Sequence, residues 1–175
     1  MSLRLRNLLA NDRGAAVIEM AIVAPVLALG TIGIIDISNA YSKKLALEQG
    51  AQRAIEKIMN TTENATVEST LATEAVCQVN GVNADGTCKT SPITTANVTV
   101  TWRLDCTTGA TTTTQTTTDS ATYDGLVAAC AGTRAGYVEV RVTDTYTPMF
   151  PVHFASYNST DHTYHISATA GTRTL

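Results

Sequence analysis

Beyond its first residues, where Arg4, Arg6 and Arg13 stand, the sequence has no cluster of lysine or arginine. With a formal net charge of −3, it lacks the dense cationic surface that phosphate neutralisation requires, which argues against nucleic acid as a partner. Catalytic signatures are missing as well. There is no G-x-S-x-G elbow, no H-E-x-x-H pair and no phosphate-cradling glycine loop. Histidine is scarce, with only His153, His162 and His165. The last two are three residues apart in a stretch whose alternation predicts a strand, so their side chains face opposite ways and share no metal ion. No enzyme, no metal site and no cofactor is expected.

Nor does any C-x-x-C pair occur. The four cysteines, Cys77, Cys88, Cys106 and Cys130, all follow a long apolar segment. An even number on one side of a membrane fits disulfides formed in an oxidising compartment. Zinc is the competing reading, although the spacings match no common zinc module. The most local of the three possible connectivities pairs Cys77 with Cys88 and Cys106 with Cys130. Such loops are worth about 3 kcal/mol each in the chain-entropy model.

What the chain does have is the apolar run "AAVIEMAIVAPVLALGTIGII" at 15–35, whose one charged member is Glu19. As a helix it extends about 31 Å, close to the hydrocarbon thickness of a bilayer. Arginines before it and Asp36 after it place the N-terminus in the cytoplasm and everything past residue 36 outside. Pro25 removes a backbone donor and predicts a kink. A carboxylate in hydrocarbon costs roughly 2.5–3.5 kcal/mol on insertion scales, so Glu19 needs an explanation. It either reaches back to the headgroups or finds a charged partner on assembly. Three fates of the segment are open: an uncleaved anchor, a signal peptide cut after Ala40 in Ser38-Asn39-Ala40, or cleavage on the cytoplasmic side after Gly14. The last leaves Ala15 as the new N-terminus and Glu19 as the fifth residue.

The helical period continues past the membrane from Tyr41 to about Met59. Leu47, Ala51, Ala54, Ile55 and Ile58 form one apolar stripe, with Glu48, Gln52, Glu56 and Lys57 opposite. Asn60-Thr61-Thr62 breaks the pattern, and a second helix is expected over 63–76 with Val67, Leu71, Ala75 and Val76 inward. A turn-rich piece, "NGVNADGTCKTSP", follows. Period-two alternation predicts strands over 97–104, 137–146 and 162–170. Their apolar faces carry Val98, Val100, Trp102 and Leu104, then Val138, Val140 and Val142, then Tyr164, Ile166, Ala168 and Ala170. The threonine-rich residues 107–122 have few groups to bury and are expected as a mobile surface loop. The fold class is α+β: a long N-terminal transmembrane and amphipathic helix, a short helix, and a small antiparallel sheet with disulfide-braced loops.

These residues carry a family resemblance. A short basic leader ending in glycine, followed by an apolar helix with glutamate fifth, resembles type IV pilin-like proteins. More narrowly, "DRGAAVIEMAIVAPVLALGTIGIIDISNAYSKKLALEQGAQRA" (12–54) resembles the opening of the TadE-like proteins, minor pseudopilins of the tight-adherence, Flp-type pilus system. The features in common are the D-R-G-A-A start, Ile18-Glu19, Ala24-Pro25, Asp36 at the exit, and Gln49 and Arg53 in the helix that follows. "VEVRVTDTYTPMFP" and "YHISATAGTRTL" are similar to that family's closing strands. Met20 stands where major Flp pilins have tyrosine, and those are much shorter, so the likeness is to a minor pseudopilin with a large exported domain.

The resemblance implies a pilin-like organisation: a leader 1–14, removed by prepilin peptidase between Gly14 and Ala15, an assembly helix 15–35, and a periplasmic domain 36–175. It implies that Glu19 is the assembly glutamate, meeting a neighbour's amino terminus in a Tad-type pilus. The implied partners are prepilin peptidase, other pilins and pseudopilins, and the inner-membrane assembly platform. Two other readings stay open: an uncleaved, TadG-like anchored binding or adhesion protein, and a secreted binding module released after Ala40.

Overall fold

The computed structural model describes residues 12–60, 65–150 and 156–175, the side chains of 12–15 and 65–69 excepted. Most of the expected leader, the expected start of the second helix at Glu63, and His153 lie outside the described residues.

A single helix, α1 (Asp12–Asn60), runs from the leader through the apolar run to the domain and continues through Pro25. Its stripe is buried where the period places it: Leu47, Ala51 and Ala54 are fully buried and Ile55 nearly so, with Ile58 packed beside them. The side chain of Asn60 donates back to the Glu56 carbonyl at 2.9 Å where the helix stops. Helix α2 (Ala65–Asn80) returns along α1 and buries Leu71, Ala75 and Val76. It extends one turn beyond the expected end because that turn is tied down on the far side. Cys77 is bonded to Cys88, and the buried Asn80 amide bonds to Lys89 O at 2.8 Å, Ile93 O at 2.7 Å and Ile93 N at 3.0 Å. Gly81, at φ +78°, then stops the helix with its N–H on the Cys77 carbonyl.

A 3₁₀ turn (Thr95–Asn97) leads into a five-stranded antiparallel sheet of order β2-β1-β3-β5-β4. The strands are β1 (Val98–Thr108), β2 (Thr111–Thr117), β3 (Thr133–Tyr146), β4 (Tyr157–Asn158) and β5 (Thr163–Arg173), with α3 (Ser120–Ala129) between β2 and β3. The three expected strands are β1, β3 and β5, all longer than the alternation alone suggests. Trp102 and Leu104, with Val138, Val140 and Val142, face α1 and α2 across one core. Tyr123 of α3 closes it against Trp102, with ring centroids 5.4 Å apart.

Residues 107–122 are not the expected mobile loop. They form the end of β1, the hairpin to β2, and the start of α3. Threonine is β-branched and suits a strand even with nothing to bury. Here Thr107 and Thr112 share a hydroxyl contact at 2.9 Å, and Thr114 donates to Asp105 at 2.8 Å. Asp119 caps α3 by accepting from Thr122 N at 2.8 Å, and the Thr122 hydroxyl and N–H hold its carboxyl below the ordinary range. The second disulfide, Cys106–Cys130, therefore joins β1 to the C-cap of α3 rather than bracing a floppy insert.

Candidate functional site

Two parts of α1 stand out. Over 16–31 the helix is exposed on every side, leaving Val17, Ile18, Ile22, Val26, Leu27 and Leu29 uncovered. A helix apolar all round, and uncovered by its own domain, requires some other apolar surroundings. It is the one helix among the described residues long and apolar enough to cross a membrane. Glu19 lies exposed within it, and none of the ion pairs among the described residues involves it. The Gly14–Ala15 bond falls in the first turn of the same helix.

The second part begins one residue past the apolar run. Asp36 is only 4% exposed. Its Oδ1 accepts from the Tyr146 hydroxyl at 2.8 Å and from Met149 N at 2.9 Å, and its Oδ2 from Phe150 N at 3.1 Å. One turn on, the Asn39 amide donates to Met149 Sδ at 3.5 Å. Another turn on, Lys43 pairs with Asp144 at 2.8 Å and donates to Thr145 O at 2.6 Å. Burial first, and then the Asp36 carboxylate, raise the Tyr146 phenol above its ordinary value, so it remains a hydrogen-bond donor. Residues 36, 39 and 43 lie on one helix face, in phase with Leu47, Ala51 and Ala54. The stripe that buries the domain's core is thus continued toward the apolar run by polar side chains, which hold the end of β3 and the segment after it against α1.

Asn39 and Lys43 escape a search for apolar periodicity, because that search assigns polar residues to the wet face. The available signal is their phase: three- and four-residue steps from Asp36 lead directly into the core stripe. Beside this junction, α1 and the β5 region leave a groove of about 570 Å³, lined by Ile37, Tyr41, Lys44, Pro148, Tyr164 and Ile166 among others.

The two described histidines, His162 and His165, do not form a common site. His162 sits in a turn at φ 58°, its Nδ1 3.0 Å from the Tyr157 hydroxyl. His165 is on β5 against Asp161. Among the described residues, no three His, Cys, Asp or Glu side chains are grouped to hold a metal ion.

No curated protein and no solved structure matches the chain. Residues 14–55 match the model of the TadE-like protein family, a stretch that takes in Glu19, Asp36 and the core stripe as far as Ile55. Over this stretch of the long helix the chain is similar to the TadE-like family, a likeness that fits a role connected with the Tad pilus and contact with its other components.

Proposed function

We propose that the chain is a minor pseudopilin of a Tad-type type IV pilus, acting in assembly or priming of the filament, with no catalytic role. The observation that carries this is Glu19, a carboxylate with no ion-pair partner among the described residues on the uncovered half of α1, five positions past Gly14 in the segment that matches the family. Prepilin peptidase cuts after Gly14, and the new Ala15 amine on a neighbouring subunit neutralises Glu19 as helices pack. A buried charge is tolerated when paired and costly when alone, so pairing makes assembly favourable at this position. Residues 15–35 serve first as inner-membrane anchor and then as packing surface, and the domain stands in the periplasm. The partners are the peptidase, other pilins and pseudopilins, and the inner-membrane platform.

The hydrogen bonds to Asp36 favour this reading over a secreted module released after Ala40. Such a cut would remove Asp36 and Asn39, and with them most of what holds the segment after β3. N-terminal sequencing of membrane-extracted protein is expected to begin at Ala15. A start at Met1 supports the uncleaved anchor, and a start at Tyr41 the secreted module. Glu19→Ala is expected to leave expression and membrane insertion intact while reducing recovery of pilus partners several-fold. Normal co-purification of that variant would refute the charge pairing.

A further inference from the structure

The height of the groove beside Asp36 is set by the helix that forms one of its walls. At about 1.5 Å per residue, Ile37, Tyr41 and Lys44 lie roughly 3, 9 and 13 Å past Ile35, the last residue of the apolar run. The interfacial layer outside the hydrocarbon is about 5–7 Å thick on each side. Helical side chains lean toward the helix N-terminus, here back toward the bilayer, which brings the Tyr41 ring and the Lys44 ammonium to that layer.

From the groove wall round to the side turned away from the domain, α1 stays apolar past residue 35. Ile34, Ile37, Tyr41 and Leu45 succeed one another at helical steps and are 69, 53, 60 and 40% exposed; Glu48 and Gln52 then turn that face polar. A separate segment reaches the same height: Met149, bonded through its N–H to Asp36, is 67% exposed. Among the described residues, Lys44 is held only by a loose pair with Glu48 at 3.8 Å. Tyrosine, lysine and uncovered aliphatic side chains at the exit of a span are the composition of an interfacial anchor. Asp36, at that same level, has its charge fully engaged by donors, as a carboxylate at the edge of hydrocarbon requires.

We propose that this face docks on the phospholipid bilayer. Ile37, Tyr41 and Met149 enter the interfacial layer of the leaflet where the span emerges. The groove between α1 and β5 takes a phospholipid headgroup, its phosphate against Lys44. The domain therefore stands on the membrane in one orientation before assembly, with the β1–β2 hairpin pointing away. The inference rests on residues 15–35 crossing the bilayer.

The test uses the full chain in vesicles of phosphatidylcholine and phosphatidylglycerol brominated near the top of the acyl chains. Tryptophan is introduced singly through Leu27→Trp, Tyr41→Trp, Met149→Trp and Gln52→Trp. The sole native tryptophan, Trp102, is buried in the core, and its unchanged emission reports an intact fold. Bromination is expected to quench the added emission of Leu27→Trp, Tyr41→Trp and Met149→Trp, and to spare Gln52→Trp. Adding Lys44→Glu is expected to lessen the Tyr41→Trp quenching, and an unchanged signal would remove the headgroup from the groove. If Leu27→Trp is quenched while Tyr41→Trp and Met149→Trp are not, the docking surface is overturned with the span intact. If Leu27→Trp itself escapes, the membrane-spanning reading fails and the docking surface with it.

Discussion

Gly50 sits where α1 packs tightly against α2. A Cβ there would stand 2.5 Å from Val79 Cγ2 and 3.0 Å from the Ala75 carbonyl oxygen. The side chain of Val79 can turn aside, but the backbone oxygen cannot, so a β-branched residue must push the helices apart. Gly50→Val is expected to destabilise the domain by about 1–3 kcal/mol, the usual range for overpacking, measured by urea unfolding followed through Trp102. Gly30 provides the contrast within the same helix: nothing lies within 4 Å of its Cβ position, and Gly30→Val is expected to leave that transition unmoved. In the sequence the two glycines look alike, each a weak helix former in an alanine-rich stretch. Only the return path of α2 distinguishes them. The same holds for Asp36, legible from the sequence as an exit residue but not as the acceptor for three donors more than a hundred residues away.

At the scale of elements, the apolar periodicities were sufficient to place α1, α2, β1, β3 and β5, because each has a face that must be buried. Strand β2 has none. Thr111–Thr117 contains six threonines and one glutamine, and a composition rule that asks what a segment can bury returns a loop. What holds β2 is ladder bonding to β1 and cross-strand threonine contacts, neither of which leaves an apolar signature. It is an edge strand with one partner, whereas β3 is paired on both sides. Amide exchange is therefore expected to be slowest in β3 and faster in β2. Within β2, protection should alternate between amides directed at β1 and those directed at solvent. Uniformly fast exchange across residues 111–117 would restore the mobile loop.

At the scale of the molecule, one continuous helix serves two environments, and Asp36 marks the change. Before it, residues 16–31 are exposed on every side. After it, the stripe through Leu47 and Ala54 forms one wall of the core. The polar turns between, Asp36, Asn39 and Lys43, bind the end of β3 and the segment beyond it, so the domain's fold includes the first turns after the apolar run. A chain of residues 31–175 and a chain of residues 41–175 both keep the core stripe, but the shorter one loses Asp36 and Asn39 while retaining Lys43. Its melting temperature is expected to fall below that of the longer chain, with faster proteolysis around residues 147–150. Asp36→Ala in the longer chain should reproduce most of that loss, because it leaves the Met149 and Phe150 amides and the Tyr146 hydroxyl without their acceptor. Equal melting temperatures for the three would mean that the helix exit and the domain are independent bodies. A tug on the span would then pass no orientation to the domain, and cleavage after Ala40 would cost the domain nothing.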